Sequence, residues 1–401
     1  MSRTSMRRLV ALLALSASAL VAAGCDQLDG RNKTRHGNRL FKASKFVEAA
    51  VEYELALKKV DDPTIHYNLG LTYMKIARPG SDQPVRIGVA GTTECSLLKG
   101  TQPEDARVCV KNNPAEEDRR FEDCDEKDAK TVCASSYTCK QVTLCTMTPA
   151  AIAEQSTNHF QIWIKAQQPD AVIEPKLKAA EEALAKAREK ADVKELDEAE
   201  KRVNELRAKD DTRTLMTQQW WDSQQYQRAT DFWKGLLAER PNDFGILGTL
   251  AGTANKAGDW RSSIEWYLKA ADAAPDMDNQ VASYQAVGYI AFAYLKKGTL
   301  TAPEVMEASD RGIAALQKAA ALSPKTPRLV GLQGSLFRYR SLAQGSSWAW
   351  LADRASAQDL QSFANVLTKE AKKAQEQGTA TPSTQPPASP TATAPKAGAG
   401  G

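Results

Sequence analysis

Residues 226–241 read YQRATDFWKGLLAERP, and residues 260–275, which begin 34 positions later, read WRSSIEWYLKAADAAP. In each stretch an aromatic residue is followed, at intervals of three, four and three, by a small residue, a second aromatic residue and an aliphatic one. Such intervals place side chains on one face of a helix, and the closing prolines end the helix. A helix that recurs at this period indicates a repeat architecture.

Further copies of the pattern lie elsewhere in the chain. The same intervals separate Phe46, Ala49, Tyr53 and Ala56. Parts of a second pattern, that of the helix preceding this one in each hairpin, occur at Gly37, Leu69, Gly70, Tyr73, Ile290, Ala291 and Tyr294. A lengthened late copy of the first pattern is formed by Gly312, Leu316, Ala319 and Pro324. These motifs resemble the tetratricopeptide repeat (TPR), a helical hairpin in which a small residue allows close approach of the paired helix and aromatic residues fill the groove between helices. The resemblance implies an all-α solenoid of four or five TPR-like hairpins.

Motif positions and composition divide the chain into six parts. We predict a signal peptide at 1–24, N-terminal TPR hairpins at 25–77, a cysteine-rich insertion at 78–148, a return helix with a charged helical hairpin or coiled coil at 149–210, a C-terminal TPR array at 211–376 and a disordered tail at 377–401. The return helix is expected at 149–166, and the insertion is expected to project from a hairpin tip. Residues 174–209 fit one long helix or a hairpin equally. The tail is rich in Thr, Pro, Ala and Gly and cannot bury enough apolar surface to order itself.

The cysteines are concentrated in the insertion. One cysteine, Cys25, stands alone, and the other six are Cys95, Cys109, Cys124, Cys133, Cys139 and Cys145. An even number in one stretch predicts three disulfides in an oxidising compartment, with the pairing left open. Zinc sites usually bring their ligands in pairs two to four residues apart, whereas the shortest gaps here are six. No metal site is therefore expected.

The N-terminus has the layout of a secretory signal. Arginines precede an unbroken small and apolar run, 9–23, that is too short for a permanent membrane span and ends at Gly24-Cys25. Residues 21–25 resemble the lipobox of bacterial lipoproteins, which implies a diacylglycerol on Cys25 and a protein anchored in the cell envelope, facing the periplasm. Ordinary signal cleavage after Gly24 is the alternative. The outer membrane is favoured over the inner one, although Asp26 resembles an inner-membrane retention signal.

Catalytic motifs are missing from the sequence. None of the three histidines, His36, His66 and His159, belongs to a metal-ligand or nucleophile motif, and no phosphate-binding glycine loop or nucleophile elbow occurs. The formal charge of +4 falls to +1 when the three signal arginines are removed, so bulk charge does not favour nucleic acid. We expect no enzyme activity, no cofactor, no nucleic-acid partner and no small-molecule substrate.

A groove is the remaining candidate site. In TPR arrays the concave wall is built from first helices, and the resemblance implies that repeat positions nine, twelve and thirteen point into it. Those positions supply Asn38, Phe41, Lys42, Met74, Lys75, Trp221, Asn255, Lys256, Phe292 and Lys296. Lysines beside apolar side chains suit an extended or helical peptide that carries acidic groups. The alternative is that lysines near helix C-termini simply satisfy the helix dipole and solvent.

Together these features predict a protein that binds other proteins. TPR lipoproteins serve machines such as those of gliding motility and of type IV pilus or secretin assembly. The resemblance therefore implies a scaffold or assembly factor whose groove and insertion bind envelope proteins, and whose lipid anchor binds the membrane. The alternative function is a solute- or glycan-binding envelope receptor that uses the cysteine-rich module and the tryptophans.

Overall fold

A computed structural model describes residues 26–77, 83–112, 121–125, 133–190, 193–345 and 347–376. The predicted signal peptide, the predicted lipidation site Cys25 and the predicted tail at 377–401 lie outside these residues. The chain divides into two compact units, Met1–Ser223 and Gln224–Gly401, which are described in turn. No described helix combines the length and the hydropathy of a transmembrane span.

The first unit is built on paired helices. Its helices are α1 (26–42), α2 (Phe46–Leu57), α3 (Pro63–Ile76), α4 (Thr93–Leu97), α5 (Pro149–Ala166), α6 (Asp170–Lys190) and α7 (Val193–Asp222). Helix α2 packs on α3, and α3 packs on α5 across the insertion. Asp62 and Thr148 cap α3 and α5 by accepting backbone N–H groups of the first turn, and each is followed by a proline that needs no partner there.

The insertion folds as a small antiparallel sheet. Its strands are β1 (Val85–Val89), β2 (Gln102–Lys111) and β3 (Tyr137–Met147), in the order β1-β3-β2. The predicted disulfides are present, as Cys95–Cys145, Cys109–Cys133 and Cys124–Cys139. The module leaves the helical pair between α3 and α5, and its base also packs against the helices. Ile87, Leu98 and Met147 are buried in the same apolar cluster as the helices α2 and α3.

Helices α6 and α7 settle the choice left open for residues 174–209. The two helices pack against each other as an antiparallel pair. Asp170, at the start of α6, lies 2.6 Å from Lys209 and 2.7 Å from Arg213 of α7, and small side chains such as Ala180 and Ala187 are buried. The segment is therefore a helical hairpin.

The second unit is a run of helices in which each packs on the next. They are α8 (Tyr226–Glu239), α9 (Phe244–Lys256), α10 (Trp260–Asp272), α11 (Met277–Lys297), α12 (Ala302–Leu322), α13 (Pro327–Gln344) and α14 (Trp348–Glu376). One large apolar cluster runs from α10 to α13. The predicted fold class, TPR-like helical hairpins with a disulfide-rich insertion, is confirmed for the described residues.

Candidate functional site

The first unit contains two equivalent seams between helices. In α1–α2, a Cβ atom on Gly37 would lie 2.7 Å from the Tyr53 ring. In α3–α5, a Cβ atom on Gly70 would lie 2.5 Å from the Phe160 ring, and the Ser156 hydroxyl donates to the Gly70 carbonyl at 2.9 Å. Only glycine allows this close approach of backbone and ring. The seams thus hold the first helices α1 and α3 against their partners in the same way.

Close seams also occur in the second unit. A Cβ atom on Gly288 of α11 would lie 2.7 Å from Leu316 of α12, and one on Gly312 would lie 2.6 Å from Leu336 of α13. Trp260 and Ser263 of α10 are buried, as the repeat pattern requires. These contacts fix the helices whose C-terminal turns carry the predicted groove residues.

Two of the predicted groove residues in the first unit are engaged within the fold. Asn38 accepts a hydrogen bond from the Tyr53 hydroxyl at 2.7 Å and one from the Asn68 amide at 3.3 Å. Phe41 is half-buried and packs edge-on against Phe46, with ring centroids 5.3 Å apart. Asn38 is nevertheless exposed, whereas Phe41 offers a guest only its outer edge.

The lysines of the first unit are more accessible. Lys42 and Lys75 are exposed at the ends of α1 and α3, and neither has an acidic partner among the described residues. Met74, beside Lys75, is half-buried, and so is Trp221 at the end of α7. The first unit therefore offers two ammonium groups next to partly apolar surface.

The second unit repeats this arrangement. Lys256 and Lys296 are exposed in the last turns of α9 and α11, and Lys296 has no acidic partner among the described residues. The side chain of Asn255 is exposed, while its carbonyl accepts from the Tyr294 hydroxyl at 3.3 Å. Phe292 is half-buried, with its ring edge-on to Tyr339 at 5.9 Å.

The fold also brings together two histidines that the sequence analysis did not connect. His66 of α3 and His159 of α5 are 93 residues apart, and their Nδ1 atoms lie 2.8 Å apart. They line an open cavity of about 650 Å³ whose wall includes Lys58 of α2 and Lys99 beyond α4. No motif could have shown this, because the insertion separates the two histidines in the sequence.

The cysteines do not form a metal centre. The sulfur atoms of Cys109, Cys124 and Cys133 lie within 4.8 Å of one another, which is the only such group of three potential ligands among the described residues. All three sulfurs belong to disulfides and therefore carry no thiolate to bind a metal ion.

Comparisons with known proteins are distant. No protein-family model matches the chain, and no curated protein is similar to it. The solved structure of MamA protein is similar at 14% identity, over 49% of this chain and 94% of that one, with a TM-score of 0.28. The P58(IPK) TPR domain is similar at 9% identity, over 86% and 99%, with a TM-score of 0.18. Similarities of this size carry no functional argument, so function is argued from the residues.

Proposed function

We propose that this chain is a non-enzymatic scaffold that binds other proteins in a bacterial cell envelope. In this proposal a lipid on Cys25 holds it on the periplasmic face of a membrane, more favourably the outer one. It serves a dedicated machine of the gliding-motility or type IV pilus and secretin class. The carrying observation is the exposed lysine in the last turn of each of the helices α1, α3, α9 and α11.

These lysines support binding of a carboxylate-bearing guest. Lys42, Lys75 and Lys296 have no acidic partner among the described residues, so a guest carboxylate would not have to displace an internal one. Half-buried apolar side chains lie nearby along the same helices, namely Phe41 and Met74. Each exposed ion pair is worth about 0.2–1 kcal/mol, so a useful affinity needs several lysines together. An acidic peptide segment meets that need better than a small solute.

Charge reversal of the lysines tests the groove. Changing Lys42 and Lys75 of the first unit and Lys256 and Lys296 of the second to glutamate is expected to lower capture of envelope proteins at least ~10-fold, because attraction of guest carboxylates becomes repulsion in each unit. Capture is measured by cross-linking the purified variants in envelope extract, followed by quantitative mass spectrometry. The matched control reverses the same number of exposed lysines on other helices, Lys165 of α5, Lys234 of α8, and Lys369 and Lys372 of α14.

The control separates the loss of specific groove contacts from the loss of net positive charge. Equal capture by the wild type and the four-lysine variant would refute the groove and leave the insertion as the docking site. Equal loss in the variant and in the control would mean that net charge alone attracts the partners. Binding of glycan fragments without any protein partner would favour the receptor alternative instead.

The anchor has its own test. Replacing Cys25 with serine is expected to move the protein from the membrane fraction to the soluble periplasmic fraction, since the lipid is its proposed attachment. Membrane fractionation and the mass of the mature N-terminus measure this. A serine variant that stays in the membrane fraction, or a wild type without added lipid mass, would contradict the anchor and favour ordinary signal cleavage.

A further inference from the structure

Two buried histidines form the middle of a row of four ionisable groups. His66 and His159 are 8% and 9% exposed, and their Nδ1 atoms are 2.8 Å apart. The other ring nitrogens face carboxylates: His66 Nε2 lies 3.2 Å from Asp61, and His159 Nε2 lies 3.6 Å from Glu54. The four groups follow one another in a line and do not converge on a point, so their geometry does not suit a metal ion.

The number of protons that His66 and His159 carry follows from the geometry. A neutral imidazole carries one N–H and one bare nitrogen, so at the Nδ1 contact one ring donates and the other accepts. If both rings are neutral, the donor ring turns its bare Nε2 toward a carboxylate, and that contact is repulsive. One added proton gives this Nε2 its hydrogen. Every nitrogen of the pair then faces a partner of opposite polarity.

A second proton has the opposite effect. It would place an N–H on both Nδ1 atoms, so that two donors and two positive charges would face each other across 2.8 Å. Burial, and then the neighbouring His159, lower the pKa of His66, in the direction expected if the second proton is disfavoured. Linkage gives the sign. A lowered pKa means that the unfolded chain binds the second proton more readily, so uptake of that proton weakens the contact as pH falls below about 6.5, the ordinary pKa of a histidine.

Other ionisable groups surround the pair without changing the number of protons that it favours. The Tyr73 ring stacks on His159 with centroids 5.8 Å apart, and burial together with Glu54 raises the pKa of its hydroxyl, which therefore stays neutral. Lys58 and Lys99 lie at the cavity wall and are exposed. Their positive charges also oppose a second proton on the pair.

We infer that His66 and His159 form a proton-operated latch that holds α3 against α5 with one shared proton and releases it when a second proton binds. The latch joins α3, after which the insertion begins, to α5, which begins where the insertion ends. Acidification would weaken the packing of α3 on α5 beside the cavity. The contact of Gly70 with Phe160 would still keep the hairpin folded. This regulation is independent of the partner proposed above.

NMR of the histidine rings in the full chain tests the latch directly. With only three histidines, the ring signals can be assigned with single His→Gln variants. We expect the His66 signal to change in two coupled steps, because the pair takes up its protons one after the other. In His159→Gln the titration midpoint of His66 is expected to rise, because the neighbouring positive charge is gone. Two independent single-step curves, unchanged by His159→Gln, would overturn the inference.

Hydrogen exchange gives a second readout that does not depend on the variants. After correction for intrinsic rates, amides of α5 are expected to exchange at least ~10-fold faster at pH 5 than at pH 7, relative to amides of α9. Where it folds, the double variant His66→Gln, His159→Gln should lose this difference. If α5 and α9 respond to acid equally in the wild type, the latch does not exist.

Discussion

Replacing Phe160 with alanine is expected to lower the free energy of unfolding of the first unit by about 3–5 kcal/mol, the usual range for a buried phenylalanine. The ring is fully buried between α3 and α5. It fills the space that Gly70 leaves open, so its removal leaves a cavity that the packed backbone cannot close. Denaturant titration, with hydrogen exchange of α3 and α5 as the readout, measures this loss for the first unit by itself.

The matched control is the same substitution on the surface. Phe363 of α14 is 48% exposed, so Phe363→Ala is expected to change stability by less than ~1 kcal/mol. A loss at Phe160 as small as that at Phe363 would mean that the α3–α5 seam does not hold the unit together.

Gly70→Ala completes a double-mutant cycle. In the wild type the new methyl group would lie 2.5 Å from the Phe160 ring, and overpacking of this kind costs about 1–3 kcal/mol. In the Phe160→Ala background the methyl group enters free space, and alanine then stabilises the helix by about 0.5–1 kcal/mol relative to glycine. The sign of the Gly70→Ala effect is therefore expected to reverse. Equal effects in both backgrounds would place the two residues in unrelated surroundings.

The helical repeats were predictable because their packing rule is local. A small residue must face a large one across a seam, so the intervals around Tyr53 and Trp260 carry the fold wherever the period of the repeat is unbroken. Helix α5 follows the same rule, with Ser156 and Phe160 in the positions of Ala49 and Tyr53. Its motif cannot be recognised by period, because the insertion removes the 34-residue spacing that would have marked it.

The insertion and the histidine pair could not be predicted in the same way. Strand β2 contains Pro103, Glu104, Asp105 and Arg107, which hide its alternation, and the strand is stabilised by pairing with β3 and by disulfides. Six cysteines allow fifteen pairings, and the sheet register places Cys109 opposite Cys139 although each of them is bonded to a cysteine outside the strands, Cys133 and Cys124 respectively. The His66–His159 contact depends on the crossing of α3 and α5, and no sequence interval encodes such a crossing.

Removing the Cys95–Cys145 disulfide is the other large expected effect. The bond closes a sequence separation of 50 residues, for which chain entropy gives a stabilisation of about 4 kcal/mol. It ties α4 to β3 at the base of the insertion, and Cys145 is buried in the apolar cluster of α2 and α3. The double variant Cys95→Ala, Cys145→Ala is therefore expected to destabilise these helices as well as the sheet.

The Cys124–Cys139 disulfide supplies the comparison. Its separation is 15 residues, so chain entropy alone assigns it about 3 kcal/mol, not far from the first value. Its cysteines lie outside the apolar cluster of α2 and α3. Hydrogen exchange should therefore rise in α2 and α3 when Cys95 and Cys145 become alanine, and only in the strands when Cys124 and Cys139 do. Equal exchange of α2 and α3 in both variants would show that the insertion folds independently, because stability would then not pass from the base of the sheet into the helical core.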